Sequence, residues 1–146
     1  MEFATDQLLA RILLTIATIG YAFLPAKADF NATHATNPNW TPHARFHVVW
    51  QVTGNIGIGI IALGLIWIGG PLATERLYLA AALGVAVLGA FYIAAVSRHV
   101  FGGAFHDMNG YPPFKAPFGP SNWQWDANVT IFTIVSAILV LGIVAI

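Results

Sequence analysis

Five histidines, at positions 34, 43, 47, 99 and 106, are the side chains of this sequence best suited to chemistry. His43 and His47 are four residues apart, so on a helix they stack on one face and can address a single ion or ligand. Gln51 and Asn55 continue that series, each step slanting by about 40° because four residues overshoot a 3.6-residue turn. The dense polar stretch opens earlier, with Asp29 and His34, and a second half comes from Ser97-Arg98-His99 and His106-Asp107. There is no cysteine, which removes thiolate metal sites, iron–sulfur clusters and thiol nucleophiles. Any metal must be held by nitrogen and oxygen.

Three chemistries fit these residues. In the first, His43, His47, His99 and His106 ligate a transition metal (iron, copper, manganese or zinc), with His34, Asp29 and Asp107 as further ligands or as groups that orient them. Haem between His47 and His99 is a less favoured form of the same idea. Against a ferritin-like di-iron centre, the only glutamates are Glu2 and Glu75, and neither Glu-x-x-His nor His-Glu-x-x-His occurs. In the second, histidine and aspartate act as acid and base without metal, as in an isomerase or cyclase, with Arg45 or Arg98 anchoring an anionic group. In the third, the polar groups only decorate a wet membrane interface of a non-catalytic subunit or transporter. The expectation adopted is a small metal-dependent oxidative enzyme acting on a lipophilic molecule. Asp29, His34, Asp107, Arg45 and Arg98 are its candidate catalytic groups, and Gln51, Asn55, Tyr92 and Trp50 line its pocket.

Elements able to position these groups follow from hydropathy. The 146 residues are 58% hydrophobic and 8% charged, with a mean hydropathy of +0.72, a composition expected of a multi-pass integral membrane protein. Zero formal charge offers no basic face for nucleic acid. Four apolar stretches, at about 8–24, 42–68, 73–100 and 127–146, approach the roughly 20 residues a bilayer core requires. Pro25 should stop the first, Thr41 should cap the second with Pro42 at its first position, and Gly69-Gly70-Pro71 and Gly102-Gly103 should end the second and third. The short link between the second and third stretches makes those helices antiparallel. The predicted fold is therefore all-α, a single-domain up-down-up-down four-helix transmembrane bundle with both termini on one side.

This topology gathers all five histidines, with Asp29, Asp107 and Asp126, at one end of the bundle. Small residues spaced along the helices (Ala80 and Gly84; Ala86, Ala90 and Ala94; Gly54, Gly57, Gly59 and Gly64) suit close helix packing. The segment 101–126, rich in proline and aromatic residues, reads as an ordered lid over the histidines. The apolar run before Ala26-Lys27-Ala28 looks like a secretory signal, but acidic Glu2 and Asp6 precede it and favour a retained membrane helix. That resemblance and the distribution of Lys and Arg point to opposite orientations, which leaves orientation open. Expected partners are membrane lipid and a lipophilic small molecule, and a homo-oligomer is compatible with this size.

Overall fold

The computed structural model describes residues 7–146. It contains four helices long and apolar enough to cross a membrane: α1 (Leu8–Asp29), α2 (Pro42–Trp67), α3 (Ala73–Val100, its last turn 3-10) and α4 (Ala127–Val144). A two-residue antiparallel pair, β1 (Phe114–Lys115) and β2 (Gln124–Trp125), interrupts the connection between α3 and α4.

Pro25 does not stop α1. Proline lacks an N–H and its ring crowds the carbonyl one turn back, so a regular helix should break there. Instead the preceding residues, Ile19–Phe23, widen into a π-helical turn, and a further α-helical segment runs over Leu24–Asp29. Widening moves the offending carbonyl aside without ending the helix. Asp29 thereby becomes the last residue of a helix rather than part of a loop.

The starts of α2 and α4 are capped by side chains. Thr41 Oγ1 accepts from the Ala44 N–H at 3.2 Å, with Pro42 following at the first helical position. Asp126 Oδ1 accepts from the Val129 N–H at 3.0 Å.

Helix α1 is the innermost element. Within its most apolar stretch 44% of the residues are buried, against 17–22% in the other three helices. Its Ala10, Leu14, Ala17, Tyr21 and Ala22 pack with Ala62 and Ile66 of α2, Leu77, Ala81 and Leu88 of α3, and Val135 and Leu139 of α4. Two glycines allow the closest approaches: a Cβ on Gly59 would lie 2.5 Å from the Ala22 Cβ, and one on Gly20 would lie 2.5 Å from Val135. Ala80 and Gly84 are also buried, as expected for small residues at helix contacts. Gly54 and Gly57 face open space, however, and Ala86, Ala90 and Ala94 are exposed. Close packing thus uses only part of the small-residue pattern, because a helix with neighbours on one side presents its other side outward.

Polar contacts tie one end of the four-helix assembly together. The buried Arg11 donates to the Ile66 carbonyl, Trp67 Nε1 donates to Thr15 Oγ1 at 2.9 Å, and Gln7 donates to Thr74 Oγ1 at 2.7 Å. Two long connections, 30–41 and 101–126, join α1 to α2 and α3 to α4.

Candidate functional site

A chamber of about 400 Å³ opens beneath those two connections. Its polar wall consists of Asp29 from α1, His34 from the following loop, Gln51 and Asn55 from α2, and Asn128 from α4. The apolar wall includes Leu24, Val52, Phe91 and Phe132, so all four helices contribute.

The extension of α1 past Pro25 brings Asp29 to His34. Asp29 Oδ1 lies 3.6 Å from His34 Nδ1, an ion-pair distance rather than a hydrogen bond. Thr33 Oγ1 is 2.9 Å from the same nitrogen. With the proton on Nδ1, both oxygens face an N–H and the Nε2 lone pair is left as the base. Among the described residues Nε2 has no hydrogen-bond partner. The ring is held by the edge of Trp40, centroids 4.9 Å apart, and by Tyr111 at 5.7 Å. Side-chain exposures of 19% for His34 and 25% for Asp29 leave the pair shielded but reachable.

The loops above the chamber are stitched to one another by polar groups. Asn37, only 1% exposed, donates to the Thr33 carbonyl at 3.0 Å and across to the Asn109 carbonyl at 2.9 Å. Its own Oδ1 accepts from the Asn39 N–H at 3.0 Å. Asp107 accepts from the Asn109 N–H at 2.8 Å and from Trp40 Nε1 at 2.9 Å. The Asn109 backbone donor, followed by the indole, holds the Asp107 carboxyl below the usual carboxylate range. Asp107 therefore works as a clasp on Trp40, which packs against His34. The 104–111 half of the expected lid meets the His34 loop, whereas in the hairpin half Phe114 and Phe118 pack on Trp125.

The five histidines do not form one cluster. Among the described residues no three His, Asp or Glu side chains are placed to hold one metal ion. The expected ligand set of His43, His47, His99 and His106 is not assembled. The slant along α2 explains the split: about 40° per step accumulates to about 120° between His43 and Asn55. Gln51, itself partly outward and exposed, and Asn55 line the chamber, while His43 and His47 lie outside it. His43 and His47 meet each other, Nε2 to Nε2 at 3.0 Å. His99 is exposed on the 3-10 turn, and His106 Nδ1 lies 3.8 Å from Asp126 Oδ2.

Other candidates sit apart from the chamber. Arg98 lies over the Phe105 ring at 4.5 Å and donates to the Ala95 carbonyl at 2.7 Å, beside a smaller cavity of about 160 Å³. Phe91, Ala104 and Asn128 line both cavities. Tyr92 donates to Ser136 Oγ on α4 at 3.1 Å, and the exposed Trp50 lies beside Phe46 on the outer face of α2. Arg45 is half-buried.

Asn37 and Asn128 escaped the sequence reading. The Asn37-Pro38-Asn39 run is a legible turn signal, because an asparagine side chain readily accepts from the backbone two residues on. Nothing in the sequence marks Asn128 as a chamber residue beyond its place in the first turn of a helix.

Comparison of the chain with family models, with characterised proteins and with solved structures gives no match.

Proposed function

We propose that this chain is an integral membrane protein, an up-down-up-down bundle, whose chamber receives a lipophilic molecule carrying one polar group and moves a proton on it. His34 Nε2 is the base. It takes a proton from a carbon next to an electron-withdrawing group and returns it at a neighbouring position, an isomerisation that consumes no co-reactant. Asp29 balances the imidazolium charge, and the amides of Gln51, Asn55 and Asn128 hold the polar group as charge develops on it.

The observation that carries this reading is the Asp29–His34 pair on the wall of a chamber that is amide-lined on one side and apolar on the other. A chamber of about 400 Å³ lies within the usual range for small-molecule sites, about 300–1,000 Å³. The metal-dependent oxidative alternative would need three or more ligands to converge, and among the described residues no three His, Asp or Glu side chains do.

Proton abstraction can be detected before the substrate is known. Detergent-solubilised protein is incubated with a total lipid extract in D2O, and the extract is searched by mass spectrometry for species that gain deuterium only when the protein is present. Wild type should label at least one such species, His34→Ala should lose the labelling, and Asp29→Asn should slow it. Labelling that is absent, or that survives in His34→Ala, overturns the proposal.

A further inference from the structure

The exposed histidine pair on α2 is used neither by the chamber nor by the fold. Its nitrogens, His43 Nε2 and His47 Nε2, are 3.0 Å apart, and the ring centroids are separated by 4.5 Å with the planes 87° apart. Imidazole nitrogens bind first-row metals at roughly 2.0–2.1 Å, so two nitrogens in adjacent positions at 90° lie about 2.9 Å apart, whereas a tetrahedral pair needs about 3.4 Å. The two nitrogens are at hydrogen-bond distance from each other, and an ion that displaces the shared proton meets them at a separation close to the first value. We propose that His43 and His47 form a two-nitrogen chelating site for a tetragonal or octahedral transition-metal ion, Cu(II) or Ni(II) in class, separate from the chamber.

The surroundings suit such a site. Both histidines lie in the first turns of α2, where the helix leaves its Thr41 cap, so the backbone fixes their four-residue spacing. Phe46 stacks on His43 with centroids 6.5 Å apart and meets the edge of His47 at 5.9 Å. Trp50 lies 5.7 Å from His47. The rings limit the rotamers open to the imidazoles, while exposure leaves the remaining coordination positions to water or an added ligand. The order of stability among divalent ions favours copper over nickel and zinc at nitrogen donors.

Trp50 also makes binding visible, since a paramagnetic ion at His47 should quench the indole. Purified full-length protein is titrated with Ni(II) and Cu(II), following tryptophan fluorescence and, for copper, the nitrogen hyperfine pattern by electron paramagnetic resonance. One ion per chain should bind with a two-nitrogen signature, and Trp50→Phe, which keeps a ring beside His47, should remove most of the quenching while the two-nitrogen signature remains. His43→Ala and His47→Ala should each weaken binding by at least about 100-fold, the lower end of the gain from joining two binding groups. His99→Ala should leave binding unchanged. Both histidines are exposed, so retained helicity of the variants is expected and is checked by circular dichroism. Titrations of wild type that coincide with those of the His43→Ala/His47→Ala double variant would overturn the proposal, as would a two-nitrogen signature persisting in that variant.

Discussion

Asn37 gives the sharpest test of how the chamber is closed. It is 1% exposed, donates at 3.0 Å and 2.9 Å to carbonyls on two different connections, and accepts one N–H at 3.0 Å. A typical buried hydrogen bond is worth about 1 kcal/mol net, so Asn37→Ala, which deletes three, should loosen the stitched loops by about 2–3 kcal/mol. At 1.4 kcal/mol per factor of ten, local opening becomes about 30- to 150-fold more frequent. Asn37→Asp keeps the acceptor for Asn39 but turns a carboxylate oxygen toward two carbonyls, so at neutral pH it should destabilise at least as much as alanine. That repulsion raises the new carboxyl's folded pKa, so the deficit should shrink as pH falls through it. Asn39→Ala removes an exposed side chain and should stay within about 0.5 kcal/mol of wild type. Hydrogen exchange by mass spectrometry reads this directly through the amides of Asp107, Asn109 and Gly110, which donate to Tyr111 O, Asp107 Oδ1 and Asp107 O. Unchanged exchange of these amides in Asn37→Ala would refute the reasoning, because the two connections would then be held by something other than Asn37.

Three further outcomes are expected. Asp107 has a folded pKa below its ordinary value of 3.8, so its clasp on Trp40 should persist from neutral pH down to about that value and fail as pH falls through the lowered folded pKa. Trp40 fluorescence should report the loss, and Asp107→Asn should shift or remove the acid transition. Gly59→Ala drives a Cβ to 2.5 Å from Ala22 and should cost about 1–3 kcal/mol in detergent unfolding, whereas Gly54→Ala meets nothing and should be neutral or stabilising by up to about 1 kcal/mol. Equal effects at the two positions would contradict the packing of α1 on α2. Because the chain lacks cysteine, Ala32→Cys, Gly69→Cys and Met108→Cys are clean topology reporters in sealed vesicles. The proposed bundle requires the reagent that labels positions 32 and 108 from one side to miss position 69.

Four apolar stretches, the Thr41 cap and the glycine stops are local properties, written in hydropathy and in residues whose side chains satisfy their own backbone. The ends of α2, α3 and α4 therefore fall within two residues of expectation. Asp29, His34, Gln51 and Asn55, singled out in the sequence because polar groups are costly beside hydrocarbon unless they face a cavity, all line the chamber. How α1 would treat Pro25 was not legible: the π turn over Ile19–Phe23 keeps the helix going and carries Asp29 to His34. Nor did helix spacing reveal which part of the α2 stripe faces inward. His43 and Asn55 share a four-residue series, but the accumulated turn sends one outward and the other into the chamber, and that division depends on where α1, α3 and α4 pack around α2. Composition and spacing by themselves determined a mostly helical chain with four helices long and apolar enough to cross a membrane. Only the tertiary structure decided that the reactive residues separate into an Asp29–His34 pair in a chamber and a His43–His47 pair on the surface, because convergence depends on the rotation of each helix about its axis, which packing sets.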